Sequence, residues 1–366
     1  MSFYKIIEHY KNFDFKSYLE TINEIKIKKI LEKEKINHED FLALLSPSAE
    51  NLLEDIAQKS HNISVKHFGK IILLYTPIYI SNFCVNQCIY CSFNKNFNIK
   101  RKKLSYTEIE EEAKKISESG LKHILILTGE SKEKTPISYL CESVKILKKY
   151  FHSVSIEIFP LTTDEYRKII ESGVDGLTLY QEVYEENIYK KVHISGPKSN
   201  FKFRLDAAER ACQANIRSVN LGALLGLNFW QKEIFFTALH ALYIQNKYPD
   251  VEISISLPRI RNNIGSYKGI ETIKDKSLVQ MICALKLFLP YVGITISTRE
   301  NKNFRNSLIP LGITKMSAGV STSVGGHISE QGTPQFEIED NRTVEEIKKV
   351  ITEKGYKPIL KDWTSF

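Results

Sequence analysis

From Ile71 onward, short apolar runs alternate with amphipathic stretches, and this alternation narrows the possible folds more than any other feature of the chain. Eight runs read as strands: Ile71–Ile80, His123–Leu127, Ser153–Phe159, Gly176–Tyr180, Ser218–Leu221, Glu252–Leu257, Gly293–Ser297 and Thr314–Ser317. Helical periodicity marks Thr107–Ser119, Pro136–Tyr150, Thr163–Ser172, Phe203–Ala214, Gln231–Gln245, Lys276–Phe288 and Thr343–Lys354. Strands separated by helices predict a parallel sheet with right-handed crossovers. Eight such repeats predict a closed (β/α)8 barrel of the α/β class rather than an open sheet. Residues 1–65 read as a helical N-terminal extension, in which Asn37-His38-Glu39-Asp40 precedes a helical pattern over Phe41–Ala57. Residues 66–320 are then the barrel, and 321–366 a C-terminal extension packing on it, with no long Gly/Ser/Pro linker between them.

Such a barrel works at the C-terminal ends of its strands. Directly after the first run stands Cys84-x-x-x-Cys88-x-x-Cys91, with Tyr90 just before the last thiol. Structural zinc ordinarily takes four nitrogen or sulfur ligands, and no histidine lies in this loop. Disulfides need pairs, and the start of the chain carries no secretory pattern. Three thiolates within eight residues suit an iron–sulfur cluster, with zinc or a coincidental grouping as the alternatives. A 4Fe-4S cluster held this way keeps one iron without a protein ligand, open for chemistry. The spacing with its aromatic residue resembles the signature of the radical S-adenosylmethionine (SAM) enzymes.

Other polar residues fall on the same rim. Thr128-Gly129-Glu130 follows the second run, Glu157 ends the third, Gln181-Glu182 follows the fourth, and Arg259 follows the sixth. The seventh closes in Thr295-Ile-Ser297-Thr-Arg299, whose spacing of two puts Thr295, Ser297 and Arg299 on one face. A guanidinium above two hydroxyls is a natural carboxylate clamp. The plainer alternative makes Arg299 a helix-start residue paired with Glu300.

The formal charge of +8, from 51 Lys+Arg against 43 Asp+Glu, raises nucleic-acid binding as a possibility. The lysines are spread along the chain and interleaved with Glu, as in Glu108–Lys115, so a solvated surface is the better reading. No run is long and apolar enough to span a bilayer, so neither nucleic acid nor a membrane is an expected partner. A cytoplasmic protein in a reducing compartment fits six cysteines that form no disulfide pattern. Cys141, Cys212 and Cys283 read as ordinary buried thiols.

Longer strings carry a more specific resemblance. Ile80-Ser-Asn-Phe-Cys84 through Cys91, Ile99–Leu104, Leu127–Glu130, Gly176–Glu182, Arg204–Arg210, Gly222–Leu227, Leu257–Arg261, Met316–Gly319, Gln335-Phe336 and Lys361-Asp-Trp363 together resemble the 2-iminoacetate synthase family, from about residue 70 to the end. The resemblance implies that Cys84, Cys88 and Cys91 ligate three irons of a 4Fe-4S cluster and that SAM chelates the fourth. It implies that Thr128-Gly129-Glu130 holds the methionine end of SAM, in the place of a Gly-Gly-Glu motif. Glu157, Glu182 and Arg204 become polar contacts to SAM, although Glu182 and Arg204 could instead form a rim ion pair. Arg299, with Thr295 and Ser297, would hold the carboxylate of L-tyrosine, and Arg259 is the second choice.

The implied reaction is one-electron cleavage of SAM to a 5′-deoxyadenosyl radical, hydrogen abstraction from the tyrosine amino group, and Cα–Cβ scission to 2-iminoacetate and p-cresol. Implied partners are the thiazole synthase of thiamine biosynthesis and a flavodoxin or ferredoxin donor. The related lyase of hydrogenase maturation carries a second cluster on C-terminal cysteines, whereas here the last cysteine is Cys283. A tryptophan lyase on the same scaffold stays open as an alternative, as does a non-enzymatic basic metal-binding protein.

Overall fold

The computed structural model describes residues 2–329 and 332–361. Its centre is a closed parallel barrel of β1 (Ile71–Ser81), β2 (His123–Thr128), β3 (Ser153–Glu157), β4 (Gly176–Glu182), β5 (Ser218–Ala223), β6 (Glu252–Ser256), β7 (Gly293–Ile296) and β8 (Lys315–Ser317). Each strand pairs with the next, and β1 pairs with both β8 and β2, which closes the ring. All eight expected strands are present, with ends shifted by one or two residues.

The crossover helices start where side chains satisfy the first free N–H groups. Ser105 with Glu108, Thr162 with Glu165 and Thr343 with Glu346 form reciprocal capping boxes ahead of the helices at Tyr106–Ser117, Thr163–Glu171 and Val344–Glu353. Their apolar faces pack on the barrel, burying Ile109, Ile116, Tyr166, Ile169, Ile347 and Ile351.

Three expectations need correction. The helix expected over Phe41–Ala57 is broken: His38–Ala43 ends before Ser46-Pro47, a 3-10 turn covers Pro47–Leu52, and Leu53–Phe68 continues. Pro47 cannot donate a helical hydrogen bond and pushes Ser46 into extended backbone. The helix expected over Phe203–Ala214 splits at Asp206 into Phe201–Leu205 and Ala207–Gln213. An additional strand, β9 (Lys357–Ile359), pairs with the lower end of β1. Leu360 then accepts from the Lys122 N–H ahead of β2, so the C-terminal segment fills the gap below the β1–β2 pairing. Cys212 and Cys283 are buried, whereas Cys141 is only partly so. Asp362 and Trp363 of the tail string lie outside the described residues.

The segment after β8 folds back over the mouth of the barrel. It is anchored by Arg305 and Asp340, both fully buried and paired, with Arg305 also donating to the Ser317 carbonyl. Arg342 joins with bonds of 2.6 and 2.9 Å to the same carboxylate. Burial works against the Asp340 charge, but the two guanidiniums prevail and hold its carboxyl down to about 2. Its contribution to stability is therefore full above the ordinary value of 3.8 and is lost as pH falls through about 2. Asp340→Ala leaves a buried guanidinium without its main partner, and chemical denaturation should show a loss of about 3–5 kcal/mol. No helix among the described residues is long and apolar enough to cross a membrane.

Candidate active site

The three cysteines sit in the loop that leaves β1, and two other segments hold that loop in place. On one side, residues 87–89 pair with 192–195: Ile89 N–H donates to Val192 O at 3.1 Å, Gln87 N–H to Ser195 O at 3.0 Å and Ile194 N–H to Gln87 O at 3.1 Å. On the other, Val85 N–H donates to the Glu130 carbonyl at 2.9 Å. Asn86, 1% exposed, ties both sides together. Its amide donates to Glu130 Oε2 at 2.6 Å and its oxygen accepts from the Lys198 N–H at 2.9 Å. Arg101 braces the loop from below, donating to the carbonyls of Asn82, Phe93 and Asn94.

Gly129 is required by close approach: an added Cβ would run into the Phe83 carbonyl oxygen and touch Cys84 Cβ at 3.1 Å. Gly129→Val should displace the cysteine loop and cut the iron bound after reconstitution severalfold, with the far-ultraviolet circular dichroism unchanged. Full iron loading in that variant would show that the contact does not matter.

Cys84, Cys88 and Cys91 line one cavity together with Asn86, Gly129, Glu130, Glu157, Glu182, Lys198, Arg204 and Gln335. No three His, Cys, Asp or Glu side chains among the described residues converge on a point that would chelate a single ion. Three thiols lining one cavity suit a multi-metal cluster, in which each binds its own iron. Burial pushes the Cys88 thiol up to about 12, against the field of Lys198. Such a thiol becomes a thiolate only when a metal replaces its proton. The donor set therefore fits a 4Fe-4S cluster.

Beyond the cysteines the cavity continues inward. Cys91, Glu157, Glu182, Lys198 and Gln335 border the next portion, which reaches Arg299 and Phe336. The deepest part descends into the barrel between Tyr75, Tyr79, Tyr180, Ser256, Thr295, Ser297 and Ser317. Glu157 and Gln335 border all three portions, so the cysteine end and the Arg299 end are adjacent and share walls.

At the strand ends, Glu182 has φ 70, left-handed backbone for a residue with a side chain, beside a register shift between Tyr180 and Glu182. This turn carries its carboxylate into the cavity, where Lys198 Nζ lies 2.7 Å away and Arg204 3.3 Å away. Burial opposes its charge, but Lys198 and Arg204 hold its carboxyl below the usual range. Arg204 also donates through Nε to the Tyr180 carbonyl at 2.8 Å. Glu157 lacks such direct pairing; burial raises it to about 7, against the field of Arg299.

Thr295, Ser297 and Arg299 all face the inner cavity, although β7 ends at Ile296 and the last two stand on the turn beyond it. Thr295 Oγ1 is buried without a hydrogen-bond partner. The Arg299 guanidinium lies 3.4 Å from the centre of the Phe336 ring. It is not paired with Glu300, whose carboxylate takes Arg259 and Arg261 instead. Arg259, the second choice for a substrate carboxylate, has its guanidinium committed to Glu300, the Ile273 carbonyl and Asp275. The carboxylate of Glu130 is likewise committed, to Asn86.

Three residues at the site went unremarked in the sequence, Asn86, Lys198 and Tyr79, and Gln335 and Phe336 were given no role there. Tyr79 donates to Gln335 Oε1 at 2.8 Å, and Gln335 reaches Cys91 Sγ at 3.9 Å. Gln335-Phe336 stood out only as part of a resembling string. No spacing rule could have brought residue 198 or 335 to residue 91.

A closed parallel barrel with a three-cysteine loop at its C-terminal mouth is the architecture of a radical SAM enzyme. Residues 78–238 match the Radical SAM superfamily and residues 256–357 match the Biotin and Thiamin Synthesis associated domain. The 2-iminoacetate synthase of Escherichia coli is 35% identical over 93% of this chain and 91% of its own length. The 3-methylornithine synthase of Methanosarcina acetivorans is 27% identical over 72% of this chain and 73% of its own. Among solved structures, the FeFe-hydrogenase maturase HydG from Carboxydothermus hydrogenoformans superimposes with a TM-score of 0.87 at 32% identity, over 98% of this chain and 82% of that one. The chain belongs to the 2-iminoacetate synthase family, which sets aside a non-enzymatic basic protein.

Proposed function

We propose that this enzyme cleaves the Cα–Cβ bond of L-tyrosine to 2-iminoacetate and p-cresol, with 5′-deoxyadenosine and methionine as co-products. The observation that carries this reading is the row of adjoining cavities, sharing Glu157 and Gln335 as walls, that runs from the three cysteines to an Arg299 whose charge Glu300 does not neutralise. Cys84, Cys88 and Cys91 would hold a 4Fe-4S cluster, which together with SAM would supply a hydrogen-abstracting carbon radical.

The remaining work is done by side chains. Arg204 and Glu182 would grip the polar end of SAM, and the backbone of Thr128-Gly129, alongside the cysteine loop, would receive its methionine portion. Arg299 takes the substrate carboxylate as a two-point clamp, flattened against Phe336. Ser297 and the unpartnered Thr295 offer hydroxyls beside it. Glu157 stands between the two ends. Holding the carboxylate decides which substrate hydrogen meets the radical, and the strap through Gln335 and Phe336 keeps water out. Glu130 and Arg259 act one step back: Glu130 holds Asn86 and the cysteine loop, and Arg259 removes Glu300 from Arg299.

In this reading the enzyme is cytoplasmic, draws two electrons from a flavodoxin or ferredoxin, one to cleave SAM and one, with a proton, to turn the released 4-hydroxybenzyl fragment into p-cresol, and passes 2-iminoacetate to a thiazole synthase. The test is anaerobic: reconstitute with iron and sulfide, add SAM and dithionite, and offer L-tyrosine or L-tryptophan separately. Tyrosine-dependent p-cresol with 5′-deoxyadenosine is the expected result. Tryptophan-dependent 5′-deoxyadenosine without p-cresol would move the substrate to the indole amino acid.

A further inference from the structure

Lys198 is held beside the cysteines with more care than a solvated lysine requires. Its own N–H donates to Asn86 Oδ1 at 2.9 Å. The preceding turn reaches Asn86 only because Gly196 adopts φ +97 and has no Cβ to strike the Asn86 side chain. The same segment pairs with the cysteine loop through Gln87, Cys88 and Ile89. The backbone of Lys198 is thus fixed relative to Cys88.

Its side chain is 16% exposed and runs back into the cavity, past the Tyr90 ring with Nζ 5.5 Å from the ring centre, to Glu182 Oε1 at 2.7 Å. It borders both the cysteine portion and the Arg299 portion of the cavity. The other cation under this loop, Arg101, is spread over three backbone carbonyls. Arg204 shares Glu182 with Lys198 and faces the same space. Two cations therefore converge on one carboxylate, and Glu130, tied to Asn86, and Glu157 are the other carboxylates that line the cysteine portion.

A cluster carried on three thiolates is already anionic, and the electron it must accept adds to that excess. Reduction potential in such sites depends on net charge, hydrogen bonds to sulfur and exposure. A poorly solvated ammonium nearby favours the reduced state, because its field is weakly screened. We infer that Lys198 is the counter-charge of the cluster: a positioning residue that makes the cluster easier to reduce, opposed by Glu182. This rests on the cluster assignment made above for Cys84, Cys88 and Cys91.

The experiment is an electron paramagnetic resonance titration of the reconstituted protein without SAM, comparing wild type with K198M, K198R and E182Q at equal iron content. K198M should titrate at a more negative potential, with severalfold less reduced-cluster signal at a fixed dithionite potential. K198R should return towards wild type, and E182Q, which leaves Lys198 unopposed, should move the midpoint the other way. Loss of packing alone does not predict opposite signs. Unchanged midpoints, or shifts of K198M and E182Q in the same direction, overturn the inference. A wild-type protein that takes up no reducible cluster would instead overturn the cluster assignment beneath it. If K198M fails to load iron, the sign of the E182Q shift and the K198R midpoint still decide.

Discussion

Arg299→Ala is expected to slow tyrosine cleavage roughly a hundred- to a thousandfold while iron content and SAM binding stay at wild-type levels. The argument is geometric. Arg299 projects from the turn beyond β7 into the inner cavity, stacked on Phe336, and its guanidinium makes a long 3.4 Å hydrogen bond to the Arg259 carbonyl. Its neighbour Glu300 would be the obvious partner, but that carboxylate is drawn away by Arg259 and Arg261. The guanidinium is therefore positioned and still available for a carboxylate. A primary radical attacks the hydrogen nearest to it, so loosening the carboxylate lets the amino group drift from the radical and costs rate steeply. Arg299→Lys should recover only part of the loss, since an ammonium holds a carboxylate at one point. Tyrosine cleaved at the wild-type rate by Arg299→Ala would refute the clamp.

Cys88→Ala is expected to abolish cluster assembly, giving a colourless protein that forms no 5′-deoxyadenosine. Cys88 is 5% exposed, its loop is paired to residues 192–195, and Asn94 donates to its carbonyl at 3.1 Å. That backbone framework does not depend on the thiol, so the fold should survive, with thermal unfolding within a few degrees of wild type. Normal iron content in Cys88→Ala would require a different ligand set.

The barrel was legible because its signal is local. Short apolar runs and helical periodicity report on hydrogen bonds and packing faces set within a few residues. The break at Ser46-Pro47 was equally local, and the helical periodicity of the surrounding apolar residues masked it. β9 was not legible: three residues are too few for a pattern, and pairing with β1 supplies what propensity does not.

For the site, the division is sharper. The order of residues alone determined the three-cysteine loop, the strand ends on which Glu157, Glu182 and Arg299 stand, and the family resemblance. Those follow from spacing, which is a property of the chain. Only the tertiary structure decided which charges remain free. Arg259 and Arg299 are each an arginine just past a barrel strand, and the sequence only ranked Arg299 first, by its spacing with Thr295 and Ser297 and by the resemblance. The packed fold sets Arg259 against Glu300 and Asp275 and leaves Arg299 facing the cavity. The same holds for Lys198 and Gln335, brought to the cysteines by segments more than a hundred residues away in the chain. Coulombic and hydrogen-bond partners are chosen by proximity in space, and closing the barrel, with the strap folded over its mouth, creates that proximity.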